Sequence, residues 1–227
     1  MLLTLPGVLN LEEAASCRAA LMQAPWEDGR ITAGAQSALA KANLQLHEDT
    51  PAARQLGELV LDRLGRHAGF LAAALPQRVF PPLFNRHDAG MGFGAHIDNA
   101  IRIGGEPARR YRTDLSCTLF LSAAEDYDGG ELVIEGSGPP GGIRLGAGDL
   151  LLYEASTVHR VAPVTRGVRL AAFFWVQSMV RGQGQRELLF DLDASIQSAR
   201  AALGDENPTA VRLAGTYHNL IRMWAEV

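Results

Sequence analysis

Leu115-Ser-Cys-Thr-Leu-Phe-Leu121 decides the fold class. Leu115, Cys117, Leu119 and Leu121 alternate with Ser116, Thr118 and Phe120, the two-residue period of a strand. Downstream, Asp126-Tyr-Asp-Gly-Gly130 is turn chemistry, and Glu131-Leu-Val-Ile134 reads as a short strand. Pro139-Pro-Gly-Gly142 marks a loop before two more apolar runs, Ile143-Arg-Leu145 and Asp149-Leu-Leu-Leu-Tyr153. Residues 159–164 and 168–176 read as two strands joined by a turn at Thr165-Arg166-Gly167. Many short strands with glycine-rich turns, over about residues 78–178, predict a sandwich or jelly roll.

Both flanks of this zone read as helical. Asn10, with Glu13 three positions on, is a capping-box start for a helix through Ala24. Thr50-Pro51 pairs a cap with proline at the first helical position, and Leu56, Leu59, Val60 and Leu64 follow at helical spacing. Residues 29–46 are polar and rich in small side chains, and periodicity assigns them no element. After Gln183, the positions Leu188, Leu189, Leu192, Ile196 and Ala199 have helical spacing, and Asn207-Pro208 starts a second helix to Trp224. The expected organisation is a helical region over 1–77, a strand-rich domain over 78–178 and a helical extension over 179–227.

Composition narrows the function classes. At 227 residues and 47% hydrophobic content the chain is long enough for one real core. A formal net charge of −4 with dispersed basic residues disfavours binding to nucleic acid through a basic face. Cys17 and Cys117 fit no CxxC spacing, and so sparse a pair fits a reducing compartment. The apolar start meets Glu12-Glu13 at once and lacks a basic n-region, so no signal peptide is expected. No apolar run has the length of a membrane span. A cytoplasmic protein is the expectation.

Chemistry concentrates in His96-Ile97-Asp98, His159 and Arg169. Two imidazoles and one carboxylate offer three ligands on one face of an octahedral metal and leave three positions open, as a non-heme iron(II) oxygenase needs. His96 and Asp98, two apart, share a face if both lie in a strand. A hairpin turning at Arg166 would put position 159 opposite 173, leaving Arg169 about 13 Å along the same face. That gap suits an anionic ligand stretched from metal to guanidinium, whose planar fork pairs with a carboxylate. Arg169 sits among apolar neighbours and, if buried, needs an anion; a structural pair with Asp149 or Glu131 is the competing assignment. HxD alone is a weak signal, and its joint occurrence with His159 and Arg169 in the strand zone is much more specific. His47, His67 and His218 lie in the flanks and read as structural, and Cys117 reads as core.

Further stretches carry a resemblance. They are Arg78-Val-Phe-Pro-Pro-Leu-Phe-Asn-Arg86, Gly94-Ala-His-Ile-Asp-Asn-Ala100, Thr113-Asp-Leu-Ser116, Tyr127-Asp-Gly-Gly-Glu-Leu132, Gly148-Asp149 and Thr165-Arg-Gly-Val-Arg169. Flanking matches are Gly34-Ala-Gln-Ser37, Asn43-Leu-Gln-Leu46, Phe174-Trp-Val-Gln-Ser-Met179 and Tyr217-His-Asn-Leu220. Over nearly its whole length the chain resembles the bacterial PKHD-type hydroxylases. These belong to the iron(II)- and 2-oxoglutarate-dependent dioxygenases related to prolyl 4-hydroxylases. The resemblance implies an α+β protein with a double-stranded β-helix (jelly roll) core flanked by N- and C-terminal helices. It implies Fe(2+) on His96, Asp98 and His159, 2-oxoglutarate on Arg169, and L-ascorbate as a further cofactor. Relatives in the superfamily often carry Asn-x-Tyr where this chain has Asn85-Arg86-His87; Asn85 remains a candidate co-substrate contact and His87 replaces the phenol.

The expected reaction is hydroxylation of a small-molecule or peptidyl substrate by dioxygen, with oxidative decarboxylation of 2-oxoglutarate to succinate and CO2. By analogy it is linked to iron uptake or homeostasis. The alternatives are a cupin-like metal enzyme without 2-oxoglutarate, a non-catalytic iron- or siderophore-binding protein, and a zinc hydrolase. Residues 99–112 and 123–130 flank the expected site mouth. Arg109, Arg110 and Arg112 would favour an anionic substrate, against a solvated basic loop for any one of them. The helical flanks are candidates for covering the core or for joining two copies in a homo-oligomer.

Overall fold

The structure is a computed structural model that describes residues 1–32, 40–105, 107–136 and 138–227. The resembling stretch Gly34–Ser37 lies outside the described residues. The chain opens with β1 (Leu2–Leu5) and α1 (Leu11–Met22), then β2 (Trp26–Asp28), a 3-10 turn (Gly29–Thr32), β3 (Lys41–Ala42) and β4 (Leu44–Leu46). Helices α2 (Pro51–Arg66) and α3 (Ala68–Ala74) follow. Next come β5 (Pro76–Val79), β6 (Leu83–Asp88), β7 (Gly92–His96), β8 (Ile101–Gly104), β9 (Arg109–Arg112) and β10 (Leu115–Phe120). Then come β11 (Tyr127–Gly129), β12 (Leu132–Ile134), β13 (Leu150–Glu154), β14 (His159–Val161) and β15 (Val164–Ser178). Two helices close the chain, α4 (Gln183–Leu203) and α5 (Pro208–Trp224).

Helix and antiparallel sheet are thus mixed. The larger sheet runs β1-β13-β10-β15-β6-β4-β2, with β5 and β11 also paired to β15; the smaller runs β12-β14-β7-β3; and β8 and β9 form a separate two-stranded ribbon. The zone expected to be helical therefore also supplies β1 to β4, and β2, β3 and β4, at two or three residues each, are too short for periodicity to reveal. The flank between 29 and 46 takes its strands β3 and β4 from pairing with β7 and β6. Among the capped starts, Asn10 and Glu13 form the expected capping box, and Thr50 accepts from the Ala53 amide. The first helix ends at Met22, two residues before the expected end.

Strand β10 is buried along all six residues, on both faces. Leu115, Cys117 and Leu119 join Leu170, Ala172, Phe174 and Val176 of β15 in the main core, against α1, α2 and α3. Ser116 and Thr118 pair with Trp175 and Phe173 on the opposite face. That face looks into the space between the two sheets, which is why polar residues are buried there.

The hairpin expected around Arg166 does not form. β14 belongs to the smaller sheet and pairs with β7 and β12, whereas β15 starts at Val164 and runs 15 residues through the larger sheet. The chain changes sheets at Ala162-Pro163, where Ala162 N donates to Glu131 O and Val164 N to Met91 O. Thr165-Arg166-Gly167 lies inside β15. Gly167 has φ +77°, and a Cβ there would sit 2.1 Å from Asp126 O, so glycine lets β11 approach β15. The turn signal was real as glycine chemistry and wrong as a reversal. Ile143, expected in a strand, makes only an isolated bridge to Leu132.

The C-terminal pair packs α4 on α5 and α3 on α4. Its anchor is ionic: Arg186, 1% exposed, donates to Glu154 Oε2 at 2.5 Å and to the carbonyls of Val180 and Arg181. Burial raises the Glu154 carboxyl above its ordinary range, and the charge of Arg186 opposes that rise.

Candidate active site

His96 ends β7 and His159 starts β14, and the two are direct partners across the smaller sheet. Their rings lie 4.3 Å apart. Asp98 stands two residues beyond the end of β7, so its placement does not come from strand parity as expected. It is set instead by Ser116 of the facing sheet, whose hydroxyl donates to Asp98 Oδ2. Thr113 steadies the same turn: its hydroxyl donates to Asn99 O at 2.7 Å and its amide to Ala100 O. His159 Nε2 is 3.8 Å from Asp98 Oδ2.

Each imidazole has one nitrogen committed. His96 Nδ1 lies 2.8 Å from Gly94 O and His159 Nδ1 lies 3.0 Å from Thr157 O. With protons on both Nδ1 atoms, each Nε2 keeps its lone pair free. Phe93 stacks on His96 at 3.7 Å, and Tyr153 meets His159 edge-on at 5.1 Å. Burial first, and then the charge of His159, lowers the His96 pKa and favours its neutral form. One ligand atom from each of His96, Asp98 and His159 falls within 4.8 Å of the others, so a single ion can reach all three.

These residues line one cleft. Arg169 and Asn85 line its inner part, from neighbouring strands of the larger sheet. Arg169 is 1% exposed, and Nε, Nη1 and Nη2 have no hydrogen-bond partner among the described residues. Neither Asp149 nor Glu131 pairs with it: Asp149 accepts from the Gly7 amide, and Glu131 faces Arg144. Burial lowers the Arg169 pKa, yet guanidinium starts so high that it stays charged. Asn85 Oδ1 is likewise buried without a hydrogen-bond partner among the described residues. His87, the register partner of Arg169, is fully buried and does not line the cleft. Burial and the Arg169 charge hold it neutral.

Sequence reading missed the outer wall. Lys41, Arg102, Phe93, Phe173 and Trp175 line the cleft as well. The only available signal was the alternation Ile101-Arg102-Ile103, which turns Arg102 away from the exposed isoleucines. Arg112, expected as a candidate for anionic substrate, is committed elsewhere: it donates to Asp114, Ser178 O and Glu226. Arg109 and Arg110 are exposed. His67 caps α3 by accepting from the Phe70 amide, in keeping with its structural assignment.

Antiparallel sheets around a His-Asp-His cluster define the class. A model of the 2OG-Fe(II) oxygenase superfamily matches residues 82–177. A second, the PKHD-type hydroxylase C-terminal domain, matches residues 183–226. A PKHD-type hydroxylase of Phenylobacterium zucineum is 54% identical over 227 residues, covering 100% of both chains. The chain belongs to the PKHD-type hydroxylases, and it is an iron(II)- and 2-oxoglutarate-dependent dioxygenase. Among solved structures, a 2OG-Fe(II) oxygenase family oxidoreductase from Burkholderia pseudomallei matches with TM-score 0.53 at 20% identity, over 77% of this chain and 82% of its own. A prolyl-4-hydroxylase of Pseudomonas putida matches with TM-score 0.53 at 16% identity, over 78% of this chain and 92% of its own. At such identities the likeness speaks for the fold alone.

Proposed function

We propose that His96, Asp98 and His159 hold one iron(II) and that Arg169, with Asn85, receives the co-substrate. The observation that carries this reading is the pairing of two features in one cleft. Three donor atoms lie within 4.8 Å of one another, and the buried guanidinium beside them, with Phe120 and Tyr127 as neighbours, pairs with no acid among the described residues. The donors fit the ion: two neutral imidazoles and a carboxylate suit iron(II) and leave open positions for other ligands. The orphaned guanidinium fits the diacid, since a buried cation needs an anion and its fork accepts a carboxylate bidentately.

When bound, iron(II) and 2-oxoglutarate supply oxidative decarboxylation to succinate and CO2 coupled to hydroxylation of a substrate C–H bond. The chain's own residues then do the positioning. Gly94 O and Thr157 O fix both imidazole tautomers, and Ser116 fixes the carboxylate. Arg169 orients the distal carboxylate of 2-oxoglutarate. Phe93, Phe173 and Trp175 supply apolar walls that exclude water.

The two antiparallel sheets enclosing this cleft are taken as a double-stranded β-helix over 78–178, with 1–77 and 179–227 as its packed flanks. L-ascorbate is taken as the reductant that keeps iron in its lower oxidation state. A cytoplasmic setting agrees with two buried free cysteines, and no helix is long and apolar enough to cross a membrane among the described residues. The test is succinate release from 2-oxoglutarate with iron(II) and air. Wild type should turn over slowly even without its substrate, and His96→Ala, Asp98→Ala and His159→Ala should not. Undiminished release by Asp98→Ala would sink the assignment.

A further inference from the structure

We infer that this enzyme's substrate carries a carboxylate or similar oxyanion, and that Arg102 binds it at the mouth of the cleft, with Lys41 adding to the positive field. The inference rests on the iron and 2-oxoglutarate reading above and names the substrate class for that same site.

Arg102 projects from β8 onto the face of Trp175, with its guanidinium carbon 4.1 Å from the ring centroid and 5.4 Å from that of Phe80. Two aromatic faces hold the stem and plane of the guanidinium in place, so little freedom remains to be lost on binding. No acid forms an ion pair with it among the described residues, and its Nε is buried without an acceptor. Burial lowers its pKa, and the carboxylates of Asp98 and Glu48 oppose that from a distance without contacting it, so a guanidinium lining the cleft of the His-Asp-His cluster still has a place for an anion in contact. Lys41 also lines the cleft, with Nζ 3.0 Å from Gln45 Oε1 and 5.5 Å from the centroid of the Phe93 ring that stacks on His96.

Charge counting points the same way. The cleft is lined by three cations, Lys41, Arg102 and Arg169, and one carboxylate, Asp98. These are the charges that the described residues bring to the cleft. Iron(II) adds two positive charges and 2-oxoglutarate removes two, which leaves the loaded cleft positive by two. Arg169 is matched by the distal carboxylate of 2-oxoglutarate, so the excess sits at the outer wall. An anionic substrate would neutralise it where a neutral one would leave Arg102 without a counter-ion in contact.

Matched acids and amides test this directly. The protein is loaded with zinc(II), which accepts the same donors without redox chemistry, and with 2-oxoglutarate. Hexanoate and hexanamide, benzoate and benzamide, and N-acetylglycinate and N-acetylglycinamide are then titrated by ligand-observed NMR. Wild type should bind the acids about tenfold more tightly than the amides, the scale of one charge-assisted hydrogen bond. Arg102→Gln should bring each pair within about twofold, and Arg102→Lys should restore part of the preference. Arg102→Met keeps the apolar stem over Trp175 and gives the same reading should the glutamine variant fail to fold. No acid preference in wild type, or a full preference in both neutral variants, overturns the proposal. So does loss of 2-oxoglutarate affinity in Arg102→Met, which would assign Arg102 to the co-substrate. Failure of wild type to bind zinc(II) and 2-oxoglutarate would instead overturn the underlying function, and the inference with it.

Discussion

Ser116 shows how much of this site depends on one hydroxyl from the opposite sheet. Its bond to Asp98 Oδ2 holds a carboxylate that sits beyond the end of its strand. Ser116→Ala should weaken metal binding about 10–100-fold, the usual effect of removing a ligand's supporting hydrogen bond. Competition against a fluorescent chelator reads this, and unchanged affinity would show that the turn alone places Asp98. Arg169→Ala should weaken 2-oxoglutarate binding while leaving the metal in place, as equilibrium dialysis with and without metal would reveal. Loss of the metal together with the co-substrate would mean that the substitution collapsed the cleft. His96, His159 and Arg169 were legible because their chemistry is uncommon among apolar strand residues, and Asp98 because it shares a triplet with His96. Ser116 was not, since a serine alternating with core residues carries no sign of what it faces.

Among the elements, β15 had a clear identity and a misread extent. Its run of apolar residues marks a strand buried on both faces, yet Gly167 also matches a turn. Local sequence cannot tell a glycine that reverses the chain from one that admits a neighbouring strand. The contact that decides it, Asp126 O, lies 41 residues away. On α1 the burial of Cys17 gives a pH prediction. Desolvation pushes its thiol up to about 11, from an ordinary value of 9.0. At pH below 9 the thiol is protonated folded or unfolded, so its contribution to stability is fully present. Between about 9 and 11 only the unfolded thiol ionises, and that contribution is lost as pH rises. Urea midpoints over this range should fall less for Cys17→Val than for wild type; parallel curves would refute the assignment. The α4 anchor gives a second test at this scale. Arg186→Leu leaves the buried Glu154 facing only the Met1 ammonium, at 3.5 Å. The loss should be on the order of 3 kcal/mol, read as a lower urea midpoint. No loss would mean that apolar packing by Leu75, Val180 and Leu189 holds the helix without the ion pair.

For the whole molecule, the cleft is an object that no single segment specifies. The smaller sheet brings His96 and His159, the larger brings Asn85, Arg169 and Trp175, and the β8–β9 ribbon brings Arg102. Spacing in the sequence revealed the metal candidates because two of them share a triplet. Lys41 and Arg102 stand 61 positions apart in segments without chemical signature, so only the folded arrangement joins them. The strand-rich middle was legible for the same reason as β10, a period of two; the short strands β2, β3 and β4 owe their form to partners far along the chain. The central claim is that one metal on His96, Asp98 and His159 and one diacid on Arg169 share this cleft. Calorimetric titration of 2-oxoglutarate into anaerobic protein, with and without iron(II), tests it most directly. One equivalent should bind to the iron(II)-loaded wild type, with far weaker binding to metal-free protein and to Asp98→Ala supplied with iron(II). Equally tight binding in all three would contradict it.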